Sequence, residues 1–180
     1  SPGFRNQTKD VALNPMEMFD TLESLRDSEW GKEVTPVEKH GDNWVKRDDT
    51  FSRAGVRGGK VRSAWFLCTK DGTPRGLCTA GARTSPQIKI IGSMAKELGV
   101  PMRAHTTQGA LGPEVEFAKN LGADIIQHKA GYNNVLIARA REDADSLGYL
   151  NIPFGMECIE AIHMTALQVA NLPQEVSRIV

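Results

Sequence analysis

The chain lacks the features that would tie it to a strongly charged or greasy partner. Its 22 basic and 22 acidic side chains cancel, so nothing points to a nucleic-acid coat or an acidic lipid surface. No apolar run approaches the ~20 residues of a membrane span, and no signal-peptide pattern opens the chain. Cysteine is scarce and odd in number. Cys68, Cys78 and Cys158 lie in apolar segments without metal-type spacing, and read as reduced thiols in the core of a cytoplasmic protein. The histidines, His40, His105, His128 and His163, are scattered. None pairs with a cysteine or carboxylate at metal-ligand spacing, so they read as core or surface residues and no metal is expected. No GxGxxG or P-loop supports a nucleotide-binding α/β domain.

What is present is a periodic pattern. The 180 residues suffice for one domain with a core and are marginal for two. Residues 1–40 are a mixed N-terminal segment, of which Ser1–Asn6 is set aside as a remnant foreign to the fold; 16–25 reads as a short helix. From residue 41 onward the chain reads as an α/β unit. Asn43–Arg47 is a short strand and Asp48–Gly59 a polar loop. Helices are expected over 61–67, 85–98, 113–121, 133–147 and 157–172. Strands are expected over 77–80, 100–104, 124–127 and 149–152, with a last one starting at Val176. Gly99, Gly122 and Gly148 close three of the helices. Four strand–helix–glycine repeats predict parallel βαβ units with right-handed crossovers, hence an open twisted parallel sheet. Ligands of such sheets sit beyond the strands' carboxyl ends. Two loops there stand out, Ala80–Ser85 and Pro153–Met156.

Arg57–Gly58–Gly59–Lys60–Val61–Arg62 puts a lysine behind two glycines where a loop turns into a helix. A lysine so held faces whatever occupies the cavity in front, and with an aldehyde it can form a Schiff base. The alternative is a surface lysine in the basic cluster of Lys46, Arg47, Arg53, Arg57 and Arg62, offset by Asp48 and Asp49.

Three blocks carry a resemblance. Trp44–Val45–Lys46–Arg47–Asp48–Asp49 is similar to a "KRED" strand end, Gly58–Gly59–Lys60–Val61–Arg62 to "GGNKxRK", and Gly81–Gln87 with the helix ending at Leu98–Gly99 to "GGxQSNHxRQ". A weaker match is Asn151–Gly155 to "IPxGG". These blocks, over roughly residues 35–180, resemble the pyridoxal-phosphate enzymes of fold type II (tryptophan synthase β-like). The resemblance is nearest to the aminocyclopropane-carboxylate deaminase and D-cysteine desulfhydrase branch. It implies pyridoxal phosphate as cofactor, Lys60 as the Schiff-base lysine, and deamination, β-elimination or β-replacement on an amino acid, free or carried on something larger. The family often dimerises, so a homodimer is compatible.

Pro86 stands where the family has the asparagine that contacts the cofactor's phenolic oxygen. Proline offers no N–H and no polar side chain, so Gln87 or Arg83 would have to replace that contact. The family's glycine-rich phosphate loop follows the strand expected from Val176, beyond these residues, so the chain reads as truncated. Gly155 belongs to the cofactor side. Lys60 must be neutral to attack an aldehyde, and Arg57, Arg62 and partial burial favour the neutral amine. Ser85 is either an ordinary N-cap or a group that binds a substrate carboxylate or assists proton transfer, and Thr84 is the alternative for either role. Arg83 is a bidentate carboxylate holder or a surface residue. Asn133 reads as a helix cap, and Tyr132 as a candidate pocket wall. The rival to an enzyme is a non-catalytic binding or structural α/β module that keeps the sheet without a complete cofactor site.

Overall fold

The computed structural model describes residues 15–129 and 131–180, with side chains from residue 21. The remnant suggested for Ser1–Asn6 lies outside the described residues. The chain opens with α1 (Pro15–Arg26) and α2 (Glu29–Lys32). Leu22, Leu25 and Trp30 from these helices pack against Phe66, Met164 and Leu167, with Trp30 edge-on to Phe66 at 5.0 Å. Two antiparallel hairpins follow. One joins β1 (Val37–His40) to β2 (Asn43–Lys46), and the other β3 (Ser52–Arg53) to β4 (Val56–Arg57). The sequence pattern marked β2 alone, because the partners are two to four residues long and carry no sustained alternation.

The rest is the expected α/β pattern: α3 (Gly59–Thr69), β5 (Leu77–Ala80), α4 (Pro86–Leu98), β6 (Met102–Thr107), α5 (Pro113–Asn120), β7 (Asp124–His128), α6 (Asn133–Leu147), β8 (Leu150–Ile152) and α7 (Ile159–Ala166). The four strands form one parallel sheet in the order β7-β6-β5-β8. Steps from β5 to β6 to β7 run one way across it, and the step to β8 runs back past β5. Right-handed crossovers then require α4 and α5 on one face and α6 on the other. The packing agrees. Leu77, Met102, Ala104 and Ile152 meet Ile88, Ile91, Met94, Val115 and the α3 side chains Val61 and Ala64 on one face. Cys78 and Ala80 meet Leu136, Ala140 and Ala144 of α6 on the other.

Local chemistry explains the boundaries. Pro86 takes the first position of α4, where its missing N–H is no loss. Gly99 ends the helix in the left-handed region at φ +68°, its N–H reaching the carbonyls of Ala95 and Lys96. No helix among the described residues is long and apolar enough to cross a membrane.

Two expectations need correction. Three βαβ units form rather than four, because the strand expected from Val176 does not exist. Residues 172–180 pair with no sheet edge; Val176, Ile179 and Val180 instead line a cavity of about 760 Å³ with Val37 and Trp44 of the first hairpin. The helix expected over 157–172 is also shorter. Cys158 is extended ahead of α7 (φ −155°, ψ 159°), and after Ala166 the chain tightens into a 3-10 turn over Leu167–Asn171.

Candidate active site

The Trp44–Asp49 and Gly58–Arg62 blocks are joined by one carboxylate. Asp48, in a 3-10 turn after β2, accepts Arg62 Nη2 at 2.9 Å on Oδ1 and Nη1 at 3.2 Å on Oδ2. The Thr35 hydroxyl donates to Oδ1 at 2.7 Å. The Arg62 side chain is 3% exposed and lies 4.8 Å from the Phe51 ring centre. Burial pushes the Asp48 carboxyl up, but the hydrogen bonds from Arg62 and Thr35, with the charges of Arg62 and Lys46, outweigh it and hold the group below its ordinary range. The double glycine serves this contact. Gly58 turns at φ +119°, a region that L side chains avoid, and a Cβ on Gly59 would stand 2.9 Å from Asp48 Oδ2. The first turn of α3 is thus pinned where Lys60 projects.

Helices of a parallel sheet run against their strands, so the starts of α3 and α4 lie at the carboxyl edge. There Gln87 is 3% exposed and ties neighbouring strand ends together. Its Nε2 donates to Thr79 Oγ1 at 3.1 Å and to the Pro153 carbonyl at 2.7 Å, while Thr79 Oγ1 donates to the Ile152 carbonyl at 2.9 Å. Gln87 Oε1 is buried without a partner among the described residues. β5 and β8 flank the point where the chain's progress across the sheet reverses, the usual ligand position in open α/β sheets. Gly155, at φ +66°, sits in the 3-10 turn over Phe154–Met156 after β8, and α3 packs against that turn.

The predicted residues do not all lie together. Lys60, Gln87 and Gly155 belong to the β5–β8 end. Arg83 and Thr84 pack against the loop after β6: the Gly112 N–H donates to the Arg83 carbonyl at 2.8 Å, and Arg83 Nη1 to the Ala110 carbonyl at 3.1 Å. Ser85 occupies the N-cap of α4, yet its hydroxyl makes no capping hydrogen bond. Tyr132 stands apart. It follows β7 at the opposite edge, three strand spacings or about 14 Å from β8, and is 84% exposed. Lys60 is itself exposed, so the partial burial expected from sequence is absent, and Arg62 turns to Asp48.

A second polar cluster was missed. His105 of β6 faces Asp143 of α6, Nε2 to Oδ2 at 2.7 Å. Its Nδ1 lies 2.8 Å from Nε2 of His128. Arg103 donates from Nε to the same Asp143 oxygen at 2.6 Å and from Nη1 to Asp124 at 2.6 Å. The Cys78 sulfur, fully buried, lies 3.3 Å from the Ala140 carbonyl; burial, aided by the Asp143 charge, pushes its thiol up to about 12. The reading that no histidine joins a cysteine or carboxylate is therefore wrong in space. Sequence spacing hid the group because its members sit on β5, β6 and α6. The usable signal was strand alternation, which places Cys78 and His105 on the α6 face.

No family model and no curated protein matches the chain. Solved structures do. An ACC deaminase homologue superposes with a TM-score of 0.68 at 22% identity, covering 87% of this chain and 54% of the other. Threonine deaminase isoform 2 from Solanum lycopersicum, in its processed form, gives 0.63 at 17% identity, covering 87% and 45%. A pyridoxal 5'-phosphate-dependent aspartate racemase gives 0.56 at 16% identity, covering 87% and 52%. The chain spans about half the length of these proteins. The fold is that of the fold type II enzymes, as the sequence blocks implied.

Proposed function

We propose that this chain carries the lysine side of a pyridoxal-phosphate site that acts on an amino acid. The observation that carries the reading is Lys60. It is exposed on the first turn of a helix pinned by the Asp48–Arg62 pair, at the carboxyl edge of a fold type II sheet, and has no ion pair or hydrogen bond among the described residues. The residues present fit the ring end of the cofactor: a free amine, a buried amide oxygen without a partner at Gln87, and the left-handed turn at Gly155. When bound, the cofactor supplies an electron sink for carbanion chemistry.

The chain's own residues then divide the remaining work. Lys60 Nζ would hold the cofactor at its aldehyde carbon, and the same amine would serve as the base or acid for the proton at the substrate's α carbon. The hydroxyls of Ser85 and Thr84, at the start of α4, suit a substrate carboxylate, since the helix N-terminus favours an anion and Ser85 Oγ is not spent on capping. Arg83 adds positive charge beside them. Gln87 could meet the cofactor's phenolic group through Oε1 alone, as an acceptor of that group's own proton, because Nε2 is committed to Thr79 and Pro153. The substrate is a small amino acid, free or carried on a larger molecule, and the reaction a deamination, β-elimination or β-replacement.

One observation favours the rival reading of a non-catalytic module. Pro86 removes the polar side chain at the first turn of α4, and Gln87 restores only half of an amide. Titration with pyridoxal phosphate, then borohydride reduction and peptide mapping, separates the two. A shifted absorbance band and a reduced adduct confined to Lys60, both lost in Lys60→Ala, support the enzyme. An adduct scattered over surface lysines favours the module.

A further inference from the structure

We propose that Cys78, His105 and Asp143 form a binding site for one divalent transition metal of the zinc class, on the face of the sheet that α6 covers. One donor atom from each residue lies within 4.8 Å of the others. Thiolate, imidazole and carboxylate are the donor types that zinc takes, at bond lengths of about 2.0–2.3 Å, which put tetrahedral ligand atoms some 3.3–3.8 Å apart. Closing the present set requires a shift of about 1 Å between side chains.

The surroundings are those of a metal site. The nitrogen of His105 that faces Asp143 is Nε2, and the other is held by His128. A hydrogen bond to the second ring nitrogen is what orients a ligating histidine. Asp143 is likewise held by Arg103, and Arg103 is balanced by Asp124. Cys78 is fully buried, and its sulfur makes a weak contact with the Ala140 carbonyl at 3.3 Å. The Asp143 side chain is 19% exposed, giving an ion an approach past α6.

Charge and protons balance. The bound ion replaces the Cys78 thiol proton, which leaves to solvent. The His105 proton moves from Nε2 to Nδ1, where His128 Nε2 accepts it, and the His128 proton moves to its own Nδ1. A dication with one thiolate and one carboxylate is neutral, which suits a buried position.

The test is a cobalt titration of the whole chain after stripping with a chelator. A thiolate-to-cobalt charge-transfer band saturating at one equivalent is expected, with one proton released per ion and the band abolished by added zinc. Cys78→Ala should lose the band. If that variant does not fold, Asp143→Asn serves, with the ion bound at least about 10-fold more weakly. A folded chain that gives no band, a band that survives Cys78→Ala, or unchanged affinity in Asp143→Asn overturns the site.

Discussion

The two faces of the sheet are built on different principles. On the face of α3, α4 and α5, eight of the thirteen residues of α4 are buried, and large aliphatic side chains interlock, with the Arg62–Asp48 pair at the start of α3 as the buried charge. On the other face α6 is longer, with 15 residues, yet buries only Leu136, Ala140 and Ala144. Its narrow stripe of small side chains is supplemented by Asp143, which bonds the helix to His105 and Arg103 of β6. One face is held by apolar volume, which is tolerant of sequence, and the other by directional polar contacts, which are not.

The largest expected effect tests the apolar side of this contrast. Ile91 is fully buried, and Ile91→Ala should cost about 2–5 kcal/mol from lost burial and the cavity left behind. Leu136→Ala, on the thinner α6 layer, should fall near the lower end of that range because its surroundings can collapse. Urea unfolding of both variants gives the comparison directly. Equal costs would mean that α6 rests on packing after all.

Next comes the pair that pins Lys60. Asp48→Ala leaves the Arg62 guanidinium buried without its carboxylate. Breaking a fully buried pair costs about 3–5 kcal/mol, and the partial exposure of Asp48 reduces this to about 2–3 kcal/mol. The pair also predicts an acid response. The folded-state pKa of Asp48 is depressed, so its contribution is fully present above the unfolded carboxylate value of ~3.9 and is lost as pH falls through the lower folded value. Denaturation profiles should therefore lose an acid-labile increment in Asp48→Ala relative to the parent chain. Asp143→Ala should cost less, about 1–2 kcal/mol, because Asp143 and Arg103 are partly open to water. A loss as large as that for Asp48 would make the polar face the stronger support.

Much of this was legible because periodicity and punctuation agree in the second half of the chain. Ser85, Pro86 and Gly99 bracket α4, and α6 ends at Gly148 where a glycine was the only local reason to stop. The start of α3 was legible for a similar reason, since the two glycines mark the turn into the helix that carries Lys60. The rest depended on pairings between distant segments. Gln168 accepts from the Thr35 N–H at 3.0 Å across 133 residues, and no local pattern in either segment announces it. The Val176 strand failed because a strand is defined by a free edge to pair with, which a single apolar stretch cannot reveal. The position of Tyr132 depended on strand order: residues after one edge strand and after the other look alike in sequence, although three strand spacings, ~14 Å, separate β7 from β8.

The smallest predicted effect on stability belongs to the residue with the largest proposed role. Lys60 is exposed and has no partner among the described residues, so Lys60→Ala should change unfolding free energy by no more than about 0.5 kcal/mol. The sign should be slightly favourable, because a cation in the first turn of α3 opposes the helix dipole by about 0.3 kcal/mol or more. A neutral Lys60→Ala would mean that the Asp48–Arg62 pair and two glycines position a residue that the fold does not need, which is what the proposed cofactor role requires. Measuring Lys60→Ala beside Asp48→Ala sharpens that argument. If the lysine variant were the more damaging of the two, Lys60 would be a structural residue, and its position would say nothing about a cofactor. If it unfolds like the parent chain while Asp48→Ala does not, the pinning and the pinned residue are separable, as a site built on a scaffold requires.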